Sequence, residues 1–139
     1  MMNDYLIDTS VWIDFFRQRQ TWAVNEFYRI LDSSQNYGIT ELIYQEIVQG
    51  ALNKEDFDSL SDYLISQRFF YPKHQSETYR SAAYIYFTGR RQGITIRSTI
   101  DCLIAQIAIE HNLILLHSDK DFERIAEIAP ALKLYPSGS

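Results

Sequence analysis

Asp8 stands where a short apolar segment meets an amphipathic one. Residues 5–7 read as a buried strand and residues 11–16 carry apolar side chains at helical spacing, so Asp8 falls at a junction between strand and helix. In parallel α/β sheets, ligands gather at the carboxyl ends of strands, which makes this position a candidate site. Asp8, Thr9 or Ser10 can equally serve only as a helix cap. The choice depends on whether other carboxylates share this edge.

Glu46 is the second acidic candidate. On a helical wheel of about 100° per residue it falls on the same arc as Leu42 and Ile43, where the pattern calls for an apolar side chain. An ionised carboxylate that faces the core costs several kcal/mol unless it is paired or binds a metal. The sequence therefore favours a functional role, although a glutamate at the edge of the stripe can also reach water.

Asp101, Asp119 and Asp121 complete the acidic set. Asp101 follows Ser98, a plausible helix cap, by three residues, which also fits a capping box. Asp119 directly follows residues 113–117, the most apolar strand candidate, and repeats the strand-to-helix junction described above. Asp121 lies one step further into the turn, and each of these acids can also be a helix cap or a dipole partner. Several such coincidences together predict an acidic pocket.

Carboxylates clustered without histidine or cysteine ligands suit a hard divalent ion, Mg²⁺ or Mn²⁺, which takes oxygen ligands. Such an ion turns water into a nucleophile and stabilises charge on a phosphoryl group. The histidines His74, His111 and His117 lack paired ligand spacing, which disfavours zinc. The sequence also has no glycine-rich phosphate loop. Metal-dependent phosphoryl chemistry is the reaction class that this pattern favours.

The bulk composition fits one globular domain. With 139 residues, of which 46% are apolar, the chain can bury a single sizeable core. We expect one domain over residues 1–136 and a disordered tail at 137–139. No apolar run approaches the roughly 20 residues of a membrane span and the N-terminus does not resemble a signal peptide, so a cytoplasmic protein is expected. The lone cysteine, Cys102, sits in an apolar helical stretch and reads as a core residue.

Charge is distributed unevenly along the chain. The formal net charge of −5 and the sequence pI near 5.1 argue against a protein that grips nucleic acid by bulk electrostatics. Residues 65–100 are nevertheless basic, with the single acid Glu77. This segment can line one wall of an acidic cleft or form an ordinary solvated face. Its basic residues are Arg68, Lys73, Arg80, Arg90, Arg91 and Arg97.

The order of predicted elements indicates an α/β fold. Helical spacing runs through residues 21–31, 40–48, 53–66, 76–92, 98–111 and 120–128, and short strands are predicted at 5–7, 37–39, 68–71, 113–117 and 132–134. Helices that alternate with short apolar strands imply a layered, mostly parallel sheet of about five strands flanked by helices. In the helix over 76–92, apolar spacing predicts a packing or dimer face. Its residues are Tyr79, Ala82, Ala83, Tyr86 and Phe87.

The acidic motifs resemble those of a known family. Asp8-Thr9-Ser10-Val11-Trp12, Glu46 with Gly50 four residues later, residues 97–105 and residues 119–122 are similar, in order and spacing, to the motifs of the PIN domain, specifically of the small VapC-type ribonuclease toxins. Each motif is weak, but the ordered set is specific and spans nearly the whole chain. The resemblance implies a PIN-like three-layer fold and Mg²⁺- or Mn²⁺-dependent endoribonuclease activity on an RNA substrate. It also implies a cognate antitoxin and a homodimer or a dimer of toxin–antitoxin pairs.

Family roles carry over residue by residue. The catalytic and metal-binding acids are expected to be Asp8, Glu46, Asp101 and Asp119. Asp121 matches a further acid whose role as a ligand the motif leaves open. Hydroxyl groups beside the metal are expected from Thr9, Ser10 and Ser98.

The expected RNA and antitoxin would each need a binding surface, and the basic segment and the aromatic residues of the first helix are the candidates. RNA contacts near the metal are expected from Arg68, Lys73, Arg90, Arg91 and Arg97. An antitoxin is expected to lie over an aromatic groove built from Trp12, Phe15 and Phe16, although Trp12 and Phe16 can equally belong to the core.

Two other functions compete with the nuclease. A strand that ends in Asp-Thr-Ser superficially resembles the haloacid-dehalogenase phosphatases, with Asp8 as the nucleophile. Those enzymes usually need a second acid two residues later, where this chain has Ser10. A catalytically silent PIN-like module that binds RNA or protein is the second alternative, and the intact acidic set argues against it.

Overall fold

The computed structural model describes residues 3–135, so the tail predicted at 137–139 lies outside the described residues. Helices and short strands alternate along this range. In chain order the elements are β1 (Asp4–Ile7), α1 (Thr9–Phe16), α2 (Trp22–Asp32), β2 (Asn36–Gly38), α3 (Glu41–Gln49), α4 (Lys54–Ile65), α5 (Ser76–Arg91), α6 (Thr99–Glu110), β3 (Ile114–Leu116), α7 (Lys120–Ile128) and β4 (Lys133–Tyr135).

The four strands form one parallel sheet in the order β2-β1-β3-β4. The chain leaves β1 toward one side of the sheet and then returns, after β2, to the other side of β1. The strand order therefore reverses between β1 and β3. In open parallel sheets this point, at the carboxyl ends of the strands, is where ligands bind.

Helices cover both faces of the sheet. α1 contacts α2 and α3, and α3 contacts α4, whereas α5, α6 and α7 contact one another. Crossovers between parallel strands are right-handed, so the reversal in strand order places α1 and α2 on one face and α6 and α7 on the other. The predicted three-layer α/β arrangement is confirmed.

The strand predicted at 68–71 is reduced to one isolated bridge, between Ile39 and Phe69. The Ile39 N–H donates to the Arg68 carbonyl at 2.9 Å, and the Phe70 N–H donates to the Ile39 carbonyl at 2.8 Å. A Cβ atom at Gly38 would stand 2.7 Å from the Phe70 ring, so only glycine admits this close approach. Pro72 then removes a backbone donor, and the pairing stops. Within residues 3–135 the sheet therefore has four strands and this bridge instead of the predicted five strands.

The predicted stripe on α5 is divided between the core and the surface. Ala82 is buried, but Tyr79 and Phe87 are 56% and 44% exposed. The helix buries Thr78, Ala82, Ile85 and Gly89 instead, a stripe rotated by about one residue from the aromatic one. The aromatic side chains are therefore mostly on the outside of the molecule. Among residues 3–135, no helix is both long and apolar enough to cross a membrane.

Candidate functional site

The site begins with the two turns that follow β1 and β3. The Asp8 N–H donates to the Leu116 carbonyl at 3.0 Å. The Ser118 hydroxyl donates to the Ser10 hydroxyl at 3.1 Å. These bonds join the turns on either side of the point where the strand order reverses, and so bring Asp8 and Asp119 to the same edge.

Asp8 is both a helix cap and a buried acid. Its Oδ2 accepts hydrogen bonds from the Ser10 hydroxyl at 2.7 Å and, as the cap of α1, from the Ser10 N–H at 3.3 Å. The residue is 5% exposed. Burial raises the pKa of Asp8 to about 6, although the bonds from Ser10 lower it, because desolvation disfavours the charged carboxylate. The capping interpretation is therefore confirmed, and the cap does not exclude a role in the site because the same carboxylate is buried at the edge of the sheet.

Glu46 reaches the same edge from α3. The Thr9 hydroxyl, in the first turn of α1, donates to Glu46 Oε1 at 2.8 Å. The neighbouring Ile43 and Ile47 are buried, so the glutamate lies beside the apolar stripe of its helix, as the wheel predicts. The bond from Thr9 fixes one carboxylate oxygen and ties α3 to α1.

Asp101 lies in the first turn of α6 and is half-buried. The Ser98 side chain forms no capping bond, so the capping box that was the alternative interpretation of Asp101 is not formed. The pKa of Asp101 is raised to about 7, first by burial and then by repulsion from Asp8, Asp119, Glu46 and Asp121. Repulsion from all four acids shows that the structure gathers the whole predicted acidic set around Asp101.

Asp119 and Asp121 differ in their partners. Asp119 caps α7 by accepting from the Asp121 N–H at 2.9 Å. The Asp121 side chain is 4% exposed, and it contacts Arg124 Nη1 at 2.8 Å through Oδ1 and Arg97 Nε at 3.4 Å through Oδ2. Asp121 therefore has both oxygens paired with cations.

This donor set fits a hard divalent cation. Carboxylate oxygens from Asp101, Asp119 and Asp121 all lie within 4.8 Å of one another. Asp8 and Glu46 add oxygens from the adjoining elements, and oxygen atoms are the ligands that Mg²⁺ and Mn²⁺ prefer. Within this group Asp121 is the acid whose oxygens are paired with two arginines, whereas no arginine or lysine forms a salt bridge with Asp8, Asp101 or Asp119 among the described residues.

A polar cleft of about 840 Å³ opens beside the acids. One wall is formed by residues 93–95 and Arg97, before α6, and the other by the turn after β3 and the first two turns of α7. Arg97, Lys120 and Arg124 line it, together with the acids Asp119 and Glu127. Residues 93–95 also line a smaller recess that contains Tyr86 and Arg90, with the Arg90 guanidinium 5.9 Å from the Tyr86 ring.

The predicted RNA-binding cations separate into two groups. Arg97 is in the cleft and Arg90 in the recess beside it, whereas Arg91 packs over Phe87 on α5. The Arg68 guanidinium is 4.0 Å from Asp4, at the start of β1. Asp8 follows the other end of this strand, roughly 13 Å away along the chain.

Lys73 is also remote from the clustered acids of the site, because its backbone N–H donates to the Glu110 carboxylate at 2.9 Å. Glu110 ends α6, whereas Asp101 lies in that helix's first turn. The prediction that Arg68 and Lys73 lie near the metal site is wrong.

The predicted antitoxin groove also needs correction. Trp12 has no exposed surface and packs against Phe27 at 4.9 Å between ring centroids. Phe15 and Phe16 are partly buried against the same core. Trp12 also packs against Tyr37 of β2 and Tyr63 of α4, so it lies inside the core and cannot line a surface groove.

Sequence reasoning missed Arg124 and His117. Arg124 is three residues after Asp121 on α7, an acid–base spacing that brings two side chains together on a helix. His117 was considered only as a zinc ligand. Its Nδ1 accepts from the Asp119 N–H at 3.2 Å, which shapes the turn that carries Asp119. Burial lowers the pKa of His117, consistent with a neutral acceptor.

Comparisons with known proteins agree with this geometry. A model of the PIN domain matches residues 5–128. Ribonuclease VapC11 of Mycobacterium tuberculosis is 38% identical over 124 residues, which cover 88% of this chain and 92% of the relative.

Two solved structures share the fold. A DNA-bound VapBC from Salmonella typhimurium superposes with a TM-score of 0.70 at 17% identity, covering 96% of this chain and 97% of that one. VapBC-5 of Mycobacterium tuberculosis, a member of the VapBC family of toxin-antitoxin systems, gives 0.65 at 16% identity, with 94% and 96% covered. The PIN-domain match, together with the VapC relative, shows that this chain belongs to the PIN-domain family, in its VapC group.

Proposed function

We propose that this protein is a divalent-metal-dependent endoribonuclease and the toxin of a toxin–antitoxin pair. The observation that carries the proposal is the convergence of Asp8, Glu46, Asp101, Asp119 and Asp121 at the point where the strand order reverses. A relative with 38% identity is named a ribonuclease, which supports the same reaction class.

Asp8, Asp101, Asp119 and Glu46 would hold the cation. When bound, a divalent ion lowers the pKa of water and neutralises charge on a phosphodiester. The chain supports this with fixed ligands: Ser10 holds one oxygen of Asp8, and Thr9 holds one oxygen of Glu46. Such bonds fix carboxylate orientation before the substrate arrives.

The residues around the acids also determine how a polyanion can approach. Five clustered carboxylates repel phosphate, so RNA needs cations close by. Arg97, Lys120 and Arg124 provide them in the adjoining cleft. A metal ion bound by the acids, together with the basic side chains of the cleft, would make the local electrostatic potential favourable for RNA although the whole chain has a formal net charge of −5.

The test compares RNA cleavage by the parent and by Asp101→Asn, each with Mg²⁺, with Mn²⁺ and with chelator. We expect cleavage by the parent that chelator abolishes, and a loss of at least about a hundredfold in the variant, because asparagine keeps the shape but lacks the charge. Asp62→Asn, an exposed acid of α4, is the matched control and should cleave normally. Full activity of a folded, nuclease-free Asp101→Asn preparation would refute the assignment.

The antitoxin is the proposed protein partner, since VapBC-5, which shares this fold, belongs to toxin-antitoxin systems. In place of Trp12, we assign its docking surface to the apolar groove between α3 and α4. This groove has a volume of about 350 Å³ and is lined by Tyr44, Val48, Phe57, Ile65 and Phe69, among others. Ile65 is 61% exposed although apolar, as a covered surface requires.

Copurification tests this surface. Ile65→Asp should reduce capture of a co-expressed antitoxin, because it places a charge in the groove. Leu52→Asp is the control, since Leu52 is 86% exposed and does not line the groove. Equal capture by both variants would exclude the groove.

A homodimer remains a prediction. The exposed aromatic side chains of α5, Tyr79, Tyr84 and Phe87, are the surface on which we expect the second copy. Sedimentation of the parent and of Tyr84→Glu tests both statements. A monomeric parent would contradict the homodimer, and a dimer that Tyr84→Glu leaves unchanged would contradict the surface on α5.

A further inference from the structure

Asp121 is the acid of the cluster that is already paired. Its side chain is 4% exposed, and each of its oxygens faces a guanidinium, Arg124 at 2.8 Å and Arg97 at 3.4 Å. A cation that also bound Asp121 would compete with both arginines for the same two oxygens. This carboxylate is better placed to hold the arginines than to hold a metal.

The two arginines are open to solvent beyond these contacts. Arg97 approaches Asp121 through Nε and Arg124 through Nη1, while their side chains are 70% and 41% exposed. The remaining N–H groups of each planar fork are therefore available to a ligand. Arginine forks bind phosphate oxygens in a bidentate geometry, and a guanidinium fixed by a carboxylate loses less freedom on binding.

Both arginines line the cleft of about 840 Å³ that opens beside the acids, and Lys120 lines it too. The cleft is within the range of roughly 300–1,000 Å³ typical of ligand sites. It shares Ser10, Ser118 and Asp119 with the acidic site, so a chain seated at the acids continues directly into it. Asp119 and Glu127 also face the cleft, so a phosphate needs cations at a fixed place in it, and Arg97 and Arg124 are the two that a buried carboxylate holds.

We propose that Arg97 and Arg124, held by the buried carboxylate of Asp121, form a binding site for an RNA backbone phosphate adjacent to the one that is cleaved. Asp121 is then a positioning residue for the arginines and not a metal ligand. This inference rests on the proposed nuclease function, and it names the residues that place the substrate there.

Binding is measured by the anisotropy of a short labelled single-stranded RNA, with every variant made in the Asp101→Asn background so that the RNA stays intact. We expect Arg97→Gln and Arg124→Gln each to weaken binding roughly fivefold to tenfold. The slope of log Kd against log salt should fall by roughly 0.7 for each phosphate that the protein no longer neutralises. Arg29→Gln is the matched control: Arg29 is 73% exposed and paired with Glu26, but lies on α2, across the sheet. If Arg97→Gln and Arg124→Gln weaken RNA binding no more than Arg29→Gln does, the proposal is wrong.

Neutral methylphosphonates, scanned along the same RNA, identify the phosphate itself. One position should weaken binding to the reference protein but not to the Arg97→Gln, Arg124→Gln double variant, because that variant has no guanidinium there to bind the phosphate. If each methylphosphonate position weakens RNA binding equally in both proteins, no phosphate binds at these arginines. If the double variant binds RNA normally but no longer captures a co-expressed antitoxin, the cleft receives the protein partner and the proposal is wrong.

Two readouts test the role of Asp121. In the Asp121→Asn background, Arg124→Gln should weaken RNA binding less than it does with Asp121 present, since the guanidinium is no longer held. With Asp101 restored, Asp121→Asn should keep the rise in melting temperature that Mg²⁺ causes in the parent. Loss of that rise would make Asp121 a metal ligand. Failure of the parent to cleave any RNA would instead refute the nuclease function, and the binding results would still stand.

Discussion

Asp101 shows how a residue can weaken the fold and serve the site. Burial and four neighbouring acids raise its pKa to about 7. The arginines of this region contact Asp121 instead, so the repulsion at Asp101 is not relieved by an ion pair. A carboxylate kept in this environment is destabilising without a cation and becomes favourable when one binds.

Sequence patterns could locate these acids but not choose between their roles. Asp8 and Asp119 both cap helices and both face the cluster, so the two interpretations did not exclude each other. Arg124 was missed because an i,i+3 ion pair on a helix is common on any surface. Its importance follows from the burial of Asp121, which only the fold determines.

The first prediction concerns pH in the absence of metal. In the unfolded chain Asp101 titrates near 3.8, and in the folded protein near 7. Between these values the folded state holds a proton that the unfolded state has released, so stability falls as pH rises from about 4 to about 7. Asp101→Asn removes this loss. In chelator at pH 8 the variant should be more stable by on the order of 1 kcal/mol, discounted from the full shift because solvent reaches the partly buried carboxylate.

Thermal melts of parent and variant at pH 5 and pH 8 measure the effect. The gain in melting temperature from Asp101→Asn should be larger at pH 8. Asp62→Asn, in which an exposed acid of α4 is changed, should give little difference at either pH. A variant that melts below the parent at pH 8 would mean that Asp101 acts chiefly as a helix-end acid.

At the scale of elements, spacing predicted where helices lie better than which face they bury. The α7 boundaries, 120–128, agree with the prediction, α5 differs by one residue at one end, and α2, α3, α4 and α6 differ by one residue at both ends. On α5 the aromatic stripe is predicted as a packing or dimer face, and the helix turns the neighbouring stripe around Ala82 and Gly89 toward the core. A Cβ at Gly89 would stand 2.7 Å from Ile128 of α7, so the close packing of these two helices decides the face.

The second prediction concerns α1. Trp12 packs against Phe15, Phe16, Phe27, Tyr37 and Tyr63 and has no exposed surface. Trp12→Ala should lower the free energy of unfolding by about 3–5 kcal/mol, because it removes a large buried ring and leaves a cavity. Trp22→Ala is the control: Trp22 is 49% exposed and stacks on Tyr135, so its loss should cost about 1 kcal/mol or less.

Urea unfolding of the two variants gives both values. A Trp12→Ala protein with the parent's urea midpoint would show that the ring is not a core residue. If that protein also failed to bind its antitoxin, the result would support the antitoxin groove that the sequence predicts at Trp12, Phe15 and Phe16. A large loss of stability supports the core assignment and leaves antitoxin docking to the groove between α3 and α4.

For the molecule as a whole, function depends on where charge is placed, not on its total. The net charge of −5 includes five acids gathered at one edge of the sheet, with Arg97, Lys120 and Arg124 beside them. Composition could argue only against bulk attraction to nucleic acid. The pairing of acids with adjacent cations arises from the strand order, which brings residues more than a hundred positions apart, Ser10 and Ser118, into contact.

The last prediction links the metal to the stability of the entire fold. A cation that binds the folded acids but scarcely the unfolded chain stabilises by RT ln(1 + [L]/Kd), about 2.7 kcal/mol at a hundred times its Kd. Mg²⁺ should therefore raise the melting temperature of the parent, and more at pH 8 than at pH 5, because protonated carboxylates do not bind it. Asp101→Asn should lose most of this rise and Asp62→Asn should keep it, with ionic strength matched by NaCl to remove general screening. A parent that melts at the same temperature with and without Mg²⁺ at pH 8 would contradict the metal site, whatever the protein does to RNA.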